Sequence, residues 1–274
     1  MKKASVLFFI ALSALVLEAG EYFSAGFNNE FYTGYQWRNQ MSNTEGAYHG
    51  CLWADVPVFG DFYLGGYIWQ NYDMTNNRGY KYANALTETD FGIHVGGKAW
   101  DNESERFPIA LSFEFGHEWY LYHRRVRNHQ IHPDTNEIYL NATLSNPIAN
   151  IYGGVATQYH NYGDYRSGFH YMLGFNKEVS VPKLEALKLG ADWNVGFANK
   201  QYQYWLIGTK SSGFTGTTIK LYAKYFLTDY LYLKPMIAYT GILNGDAREE
   251  MKNWDHSKNP RDALWGMLAI NLVF

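Results

Sequence analysis

The stretch FSAGFNNEFYTGYQWR at residues 23–38 alternates between two kinds of side chain. One parity is apolar and largely aromatic, and comprises Phe23, Ala25, Phe27, Phe31, Tyr35 and Trp37. The other parity is polar, charged or glycine, and comprises Ser24, Gly26, Asn28, Glu30, Gly34, Gln36 and Arg38. Because successive side chains of a β-strand point to opposite faces, the pattern predicts a strand with one oily face and one wet face.

The same alternation recurs about a dozen times, in segments of roughly ten residues, the length that a tilted strand needs to cross a membrane. The predicted strands are 23–38, 46–57, 61–71, 86–98, 109–122, 137–144, 148–159, 167–177, 187–199, 217–227, 231–241 and 262–274. Short segments such as 137–144 leave ten or fourteen strands as alternatives. Pro235 removes one ladder hydrogen bond from the strand 231–241, which leaves the end of that strand open.

Connection lengths separate a membrane barrel from a β-sandwich, which also alternates. Links after even-numbered strands are mostly tight, as at 58–60, 145–147 and 228–230, although 99–108 and 178–186 are longer. Links after odd-numbered strands include long polar segments at 72–85, 123–136, 200–216 and 242–261. Short turns at one end and long loops at the other are typical of an outer-membrane barrel with both termini in the periplasm.

The composition excludes two other classes of protein. Hydrophobic residues reach 47% while the mean hydropathy is −0.36, so apolar and polar residues are finely mixed. A helical membrane protein instead needs apolar runs of about 20 residues. The formal charge of −3 lacks the basic excess of a nucleic-acid-binding protein, and we expect no nucleic-acid partner.

The two ends of the chain carry their own signals. Residues 1–20 combine two lysines with an uncharged apolar stretch and small residues, which predicts a secretory signal peptide followed by a barrel over 21–274. The single cysteine, Cys51, excludes an internal disulfide. The final segment ALWGMLAINLVF alternates and ends on Phe274, and it resembles the signal by which the barrel-assembly machinery recognises outer-membrane barrels.

One family resembles the whole mature chain. The segments that carry the resemblance are FNNEFYTGYQWR, SNPIANIYGG, YGDYRSGFHYMLGFNKEV and YFLTDYLYLKPMIAYTG. They resemble the TorF-type porins of the bacterial outer membrane. The resemblance implies a barrel and passive diffusion, and it supplies no catalytic residues.

Alternation also predicts which charges face the lumen. Acids fall on the first six strands and lysines on strands nine to eleven, with Arg38, Lys98 and Asp192 as exceptions. The predicted pore-lining residues are Glu30, Arg38, Glu88, Asp90, His94, Lys98, Glu114, Glu118, Asp192, Lys220, Lys224 and Lys234. Opposed charges either orient solutes in an open, narrow pore or meet as ion pairs that fill the lumen. Inward aromatic residues are expected to narrow it: Tyr63, Tyr67, Trp69, Tyr120, Tyr139, Tyr152 and Trp265.

The predicted external loop HRRVRNHQIHPD at 123–134 has three interpretations. Arg124, Arg125 and Arg127 are predicted to contact lipopolysaccharide phosphates. Its histidines match no zinc spacing, so we expect no metal site, and the third interpretation is a solvated loop.

The sequence contains no recognisable catalytic motif. His94 and His170 are predicted to face inward, and Ser112 and Ser167 are available as nucleophiles, but no motif places a histidine beside a serine.

Taken together, the patterns predict an all-β fold: a closed antiparallel transmembrane β-barrel of about 12 strands in the bacterial outer membrane. Its predicted function is passive diffusion of small polar solutes, with no cofactor and no enzymatic activity. The alternatives are an enzyme that modifies lipid or lipopolysaccharide, and a closed barrel whose external loops bind a surface partner. The oligomeric state is left open.

Overall fold

The computed structural model describes residues 23–38, 40–43, 46–74, 85–102, 107–123, 134–159, 168–207, 209, 211–250 and 261–274. The predicted signal peptide at 1–20 and the loop residues Arg124, Arg125 and Arg127 lie outside these ranges. Among the described residues, no helix has the length and apolar character needed to span a bilayer.

The described chain contains fourteen strands and two short helices. In chain order the strands are β1 (Ser24–Tyr32), β2 (Tyr35–Trp37), β3 (Gln40–Asn43), β4 (Ala47–Phe59), β5 (Phe62–Asp73), β6 (Ala85–Asn102), β7 (Ile109–Tyr122), β8 (Thr135–Ser145), β9 (Asn150–Tyr159), β10 (Gly168–Val181), β11 (Leu184–Ala198), β12 (Gly213–Phe226), β13 (Leu231–Ile242) and β14 (Asp262–Val273). Helix α1 (Lys200–Ile207) follows β11 and helix α2 (Gly245–Glu250) follows β13.

Twelve of the strands, β1 and β4–β14, form one closed antiparallel barrel, as predicted. The barrel closes because β1 pairs with β4 on one side and with β14 on the other. Ala25 and the terminal Phe274 exchange backbone hydrogen bonds of 3.2 and 2.8 Å at this seam. A closed sheet pairs its backbone groups internally, which is the condition for a β-structure to exist in hydrocarbon.

The outer surface of the barrel is apolar. Ile93, Leu221 and Leu268 are 54%, 55% and 47% exposed, whereas Trp265 and Met267, on the strand of Leu268 but on its other face, are buried. An apolar surface that surrounds the whole barrel fits hydrocarbon rather than water. The apolar parity of the barrel strands therefore forms the outer face of the wall.

The start of β1, the end of β14 and the tight turns all lie at one end of the barrel. The longer connections lie at the opposite end. Two links are shorter than predicted, because β6 continues to Asn102 and because β10 and β11 are separated only by Pro182 and Lys183. Lys183 adopts a φ of 66° in this two-residue turn. The periplasmic position of this end stays a prediction.

The predicted first strand, 23–38, is too long. The barrel strand ends at Tyr32. The Thr33 N–H still donates to the Gly266 carbonyl at 3.0 Å, but the Gly266 N–H donates to the side-chain Oγ1 of Thr33 at 2.8 Å, so the pairing with β14 stops here. The chain then forms the hairpin of β2 and β3, with Arg38 in its turn at a φ of 47°. Alternation continued past Tyr32 because the hairpin is itself a pair of strands.

Pro235 lies within β13 and interrupts one ladder only. It pairs with Leu268 of β14. On the β12 side the register runs from Tyr222↔Met236 directly to Tyr225↔Leu233, without a shift. The strand therefore continues through the proline, which lacks the N–H that the β12 side would use.

Candidate functional site: the barrel lumen

Aromatic side chains in the lumen lie over glycines of the neighbouring strand. At each of these glycines an added Cβ would fall closer than 3.0 Å to the ring of its direct cross-strand partner. The pairs are Trp53 on Gly26, Tyr63 on Gly96, Tyr67 on Gly92, Tyr139 on Gly116, Tyr152 on Gly174 and Tyr222 on Gly190. A ring that covers the adjacent strand follows the wall instead of crossing the lumen.

This arrangement corrects one expectation. Tyr63, Tyr67, Tyr139 and Tyr152 face inward as predicted, but they do not narrow the lumen in the way that rings projecting from the wall would.

Gly65 leaves room for a polar pair in the same manner. It lies between Asp55 and His94 in one cross-strand row, and the Nε2 of His94 lies 2.8 Å from the Oδ1 of Asp55 above it. An added Cβ at Gly65 would collide with both side chains.

The wall formed by β6–β8 carries a group of acids. The Glu114 carboxylate accepts a hydrogen bond of 3.2 Å from the Tyr63 hydroxyl, and that of Glu118 accepts one of 2.6 Å from Tyr120. Glu88 and Asp90 are buried near the end that carries the long connections. Lys98 lies at the opposite end of β6, where it pairs with Asp61 at 3.1 Å and Asp101 at 2.5 Å.

The wall formed by β11–β13 carries the lysines. Lys224 pairs with Glu178 at 2.6 Å, and Lys188 approaches the same carboxylate at 3.7 Å. The Lys234 ammonium lies 4.7 Å from the centre of the Tyr222 ring. Lys220 is the cross-strand neighbour of Asp192. Acids and bases therefore occupy opposite walls, although Glu30, Glu178 and Asp192 add acids to the basic side.

Two cavities lined by described residues lie in the lumen, and Asn176 lines both. The first, called here the Glu114 cavity, has a volume of about 530 Å³. Its lining includes Tyr63, Lys98, Ser112, Glu114, Asn141 and Tyr152. The second, called the Lys220 cavity, has a volume of about 520 Å³. Its lining includes Glu30, Gln36, Asp192, Lys220, Lys224, Lys234 and Trp265.

The hairpin of β2 and β3 crosses the lumen. The Arg38 guanidinium at its turn forms an ion pair with Glu137 of β8. Counted from β1, where the hairpin begins, β8 is five strands away in one direction and seven in the other. The pair therefore connects nearly opposite walls. Gln36 of the hairpin lines the Lys220 cavity, so the hairpin forms part of the boundary of that cavity.

Helix α1 completes the constriction. Its Tyr202 is buried, and the Tyr202 hydroxyl donates a hydrogen bond of 3.2 Å to Glu137, which also accepts one of 3.2 Å from Tyr120. The Tyr202 ring lies 5.3 Å from that of His170. Burial, together with the charge of Glu137, raises the pKa of the Tyr202 hydroxyl well above its ordinary value, so it stays protonated. The hairpin and α1 therefore both reach into the lumen at the level of Glu137.

The predicted pore-lining residues separate into three groups. Glu30, Glu114, Asp192, Lys220, Lys224 and Lys234 line the two cavities, and Lys98 lines the Glu114 cavity near its end of the barrel. Glu88, Asp90, His94 and Glu118 face inward without lining them. Arg38 is not on the barrel wall, because it belongs to the hairpin.

Sequence reasoning missed two residues of this site. Glu178 fell outside the predicted strand 167–177, although the alternation of β10 continues to Val181. Tyr202 comes from α1, which no periodic signal had marked.

In the alternative of a lipid-modifying enzyme, catalytic groups would cluster on the lipid-facing surface. His117 points outward from β7, where its Nε2 contacts the Tyr159 hydroxyl and its ring lies 4.0 Å from that of Trp119. Its Nδ1 has no hydrogen-bond partner among the described residues. A catalytic histidine needs both a nucleophile and an orienting group. Among the described residues the Tyr159 hydroxyl is the one hydrogen-bond contact of the His117 ring, so this pair is not assembled there.

No protein-family model matches the chain, and no curated protein matches it. Solved structures do. An outer-membrane channel from Pseudomonas putida F1 has 9% identity and a TM-score of 0.52, over 92% of this chain and 95% of that one. The KdgM porin has 9% identity and a TM-score of 0.47, over 92% and 99%. Outer membrane phospholipase A from Escherichia coli has 11% identity and a TM-score of 0.45, over 91% and 92%. At these identities the likeness concerns the fold, and the chain has the architecture of a bacterial outer-membrane β-barrel.

Proposed function

We propose that the protein is a porin-like channel of the bacterial outer membrane that conducts small hydrophilic solutes by passive diffusion. One observation carries the proposal. Lys220 faces the lumen from the middle of a membrane-spanning strand, and no carboxylate of the described residues lies within ion-pair distance of it. A charged group at that depth requires either a partner or water. A water-filled lumen meets this requirement, and it is what a diffusion channel needs.

The hairpin sets the size limit in this proposal. It crosses the lumen beside the Lys220 cavity and is held to the far wall by Arg38. Solutes pass beside the hairpin, and the charges of the two walls act on them where the passage is narrowest. The resemblance of 27–38 and three later segments to TorF-type porins supports the same function.

The test is electrical. Purified protein in a planar bilayer should give discrete conductance steps. Reversal of two lumen charges, Lys220→Glu with Lys224→Glu, should shift the ion preference of these steps towards cations, because four units of charge change inside the lumen. The matched control is Lys183→Glu with Lys200→Glu, which changes the same charge at exposed positions at the two ends of the barrel. Steps with unaltered preference in the lumen variant would contradict the assignment of these lysines.

An absence of steps at any voltage would instead favour a closed barrel. One observation supports that second candidate: Glu137 and Tyr202 are buried, and the contacts of Glu137 with Arg38 and Tyr202 join the hairpin and α1 to the wall. The external loops would then bind a surface partner, and the predicted lipopolysaccharide contacts of Arg124, Arg125 and Arg127 would belong to that role. Recognition of the Phe274 end by the assembly machinery stays a prediction in either case.

A further inference from the structure

The Glu114 cavity contains a carboxylate without a cationic partner. Glu114 receives hydrogen bonds from two neutral hydroxyls, those of Tyr63 and Tyr139. No cation of the described residues pairs with it. The one lysine that lines the same cavity, Lys98, is engaged by Asp61 and Asp101. The negative charge of Glu114 is therefore open to a solute.

The Lys220 cavity presents the opposite charge. Lys224 is engaged by Glu178, but Lys220 and Lys234 have no ion pair among the described residues. Both can donate hydrogen bonds into the cavity.

The other acids of the Lys220 cavity are held by neutral donors of the wall. The Asp192 carboxylate accepts hydrogen bonds from the hydroxyl of Tyr152 at 3.0 Å and from the amide of Asn194 at 3.2 Å. Glu30 accepts one of 2.7 Å from the Tyr32 hydroxyl. The donors in these contacts are tyrosine hydroxyls and an asparagine amide, so the N–H groups of Lys220 and Lys234 are not used by them.

The two cavities meet at Asn176, which lines both. A solute at this junction meets an open carboxylate on one side and open ammonium groups on the other. We propose that the junction favours solutes that carry both an ammonium and a carboxylate group, such as amino acids and dipeptides, over neutral solutes of the same size. The inference rests on the proposed function and names the solute class of that channel.

The reason is electrostatic. A carboxylate of the solute takes hydrogen bonds from Lys220 and Lys234, and its ammonium group donates to Glu114, so both contacts are charge-assisted. A solute with a single charge gains one contact and is repelled by the opposite wall. A neutral solute gains neither. The opposed walls also orient a dipolar solute along its path.

Four compounds of nearly equal size separate these cases: glycylglycine, the anion N-acetylglycine, the cation glycylglycinamide and the neutral N-acetylglycinamide. Their entry into proteoliposomes is measured by osmotic swelling. Wild-type protein should admit glycylglycine about two- to five-fold faster than the neutral compound, the range expected for exposed charge contacts. Lys220→Met with Lys234→Met, and separately Glu114→Gln, should bring this ratio close to one. The control variant Lys183→Met with Lys200→Met should keep the wild-type ratio.

The outcomes distinguish the two proposals. Equal entry of all four compounds through wild-type protein would leave the channel standing and overturn the preference for zwitterions. Entry of none of them would overturn the channel and the preference with it. A variant that fails to fold is recognised by the loss of its heat-dependent mobility in gel electrophoresis. If one variant fails to fold, the other still tests the ratio of glycylglycine entry to entry of the neutral compound, because Glu114→Gln and the double variant Lys220→Met with Lys234→Met are independent.

Discussion

Replacing Arg38 with methionine is expected to release the β2–β3 hairpin from the lumen. The guanidinium pairs with Glu137 on the far side of the barrel, and Glu137 has no exposed surface. Methionine keeps an unbranched side chain in the turn but removes the charge. The hairpin then loses its ionic contact with the opposite wall, while its covalent connection to β1 and β4 is unchanged.

The size of the effect follows from the burial of Glu137, the charge that the variant leaves without its cation. Removing one partner of a buried ion pair costs about 3–5 kcal/mol, because the other charge is left uncompensated. Each 1.4 kcal/mol changes an equilibrium about tenfold. The ratio of docked to released hairpin should therefore fall by at least about 100-fold. Tyr120 and Tyr202 still donate to Glu137 in the variant, which places the effect towards the lower end of the range.

Two measurements report the release. In single-channel recordings the variant should spend a larger fraction of time in its highest conductance level. Cys51 is the only cysteine of the chain, and it lies on the lumen face of β4, the face of the buried His49. Release of the hairpin should open this part of the lumen to water-soluble reagents. A maleimide that does not cross membranes should therefore label Cys51 faster in the variant than in wild-type protein.

The double variant Arg38→Met with Glu137→Gln separates release from misfolding. It removes both members of the pair, so it should recover part of the lost stability and still have a released hairpin. Dwell times and labelling rates that return to wild-type values in the double variant would refute this account of the constriction. They would show that the uncompensated charge, and not the missing link, had disturbed the lumen.

Two further predictions concern the barrel wall. Gly116→Ala should lower the single-channel conductance, because the new methyl group displaces the Tyr139 ring from the wall. The control is Gly50→Ala on the outer face, where the atoms nearest to the new methyl group belong to Tyr48, with the hydroxyl at 3.2 Å. This control should leave the conductance unchanged. Leu221→Arg should lower the free energy of unfolding in lipid vesicles by about 2–4 kcal/mol, since it places a charge in hydrocarbon; Lys220→Arg on the lumen face is the control, and equal losses in both variants would mean that the two faces are wrongly assigned.

The barrel was predictable because its wall has two chemically different faces along its whole height. Each strand from β4 to β14 repeats that contrast with a period of two residues, and this period survives in a single sequence. The end of β1 was not predictable by the same signal. The hairpin continues the alternation, and only Thr33 and Gly34, residue types common in turns, mark where the chain leaves the wall.

The lumen was predictable in its charges and not in its shape. Parity placed Glu114 and Lys220 on the inner face, where the structure has them. The covering of Gly116 by Tyr139 depends on the register between β7 and β8, which no pattern within one strand specifies. The contact of Tyr202 with Glu137 joins residues 65 positions apart, and no local pattern in either segment announces it.

The number of strands explains why this barrel needs a hairpin to restrict its lumen. Twelve strands spaced about 4.8 Å apart and tilted by about 40° give a backbone radius of about 12 Å. Side chains extend about 3–4 Å beyond a backbone cylinder, and rings that cover glycines extend less. Side chains alone would therefore leave a wide opening, whereas they fill a barrel of eight strands. Restriction requires backbone segments that enter the lumen. Among the described residues these are the β2–β3 hairpin, anchored by Arg38, and helix α1, which contributes Tyr202. In the proposed channel, the strand number thus sets the largest solute that the barrel could admit, and the Arg38–Glu137 pair would limit that size while the hairpin is docked.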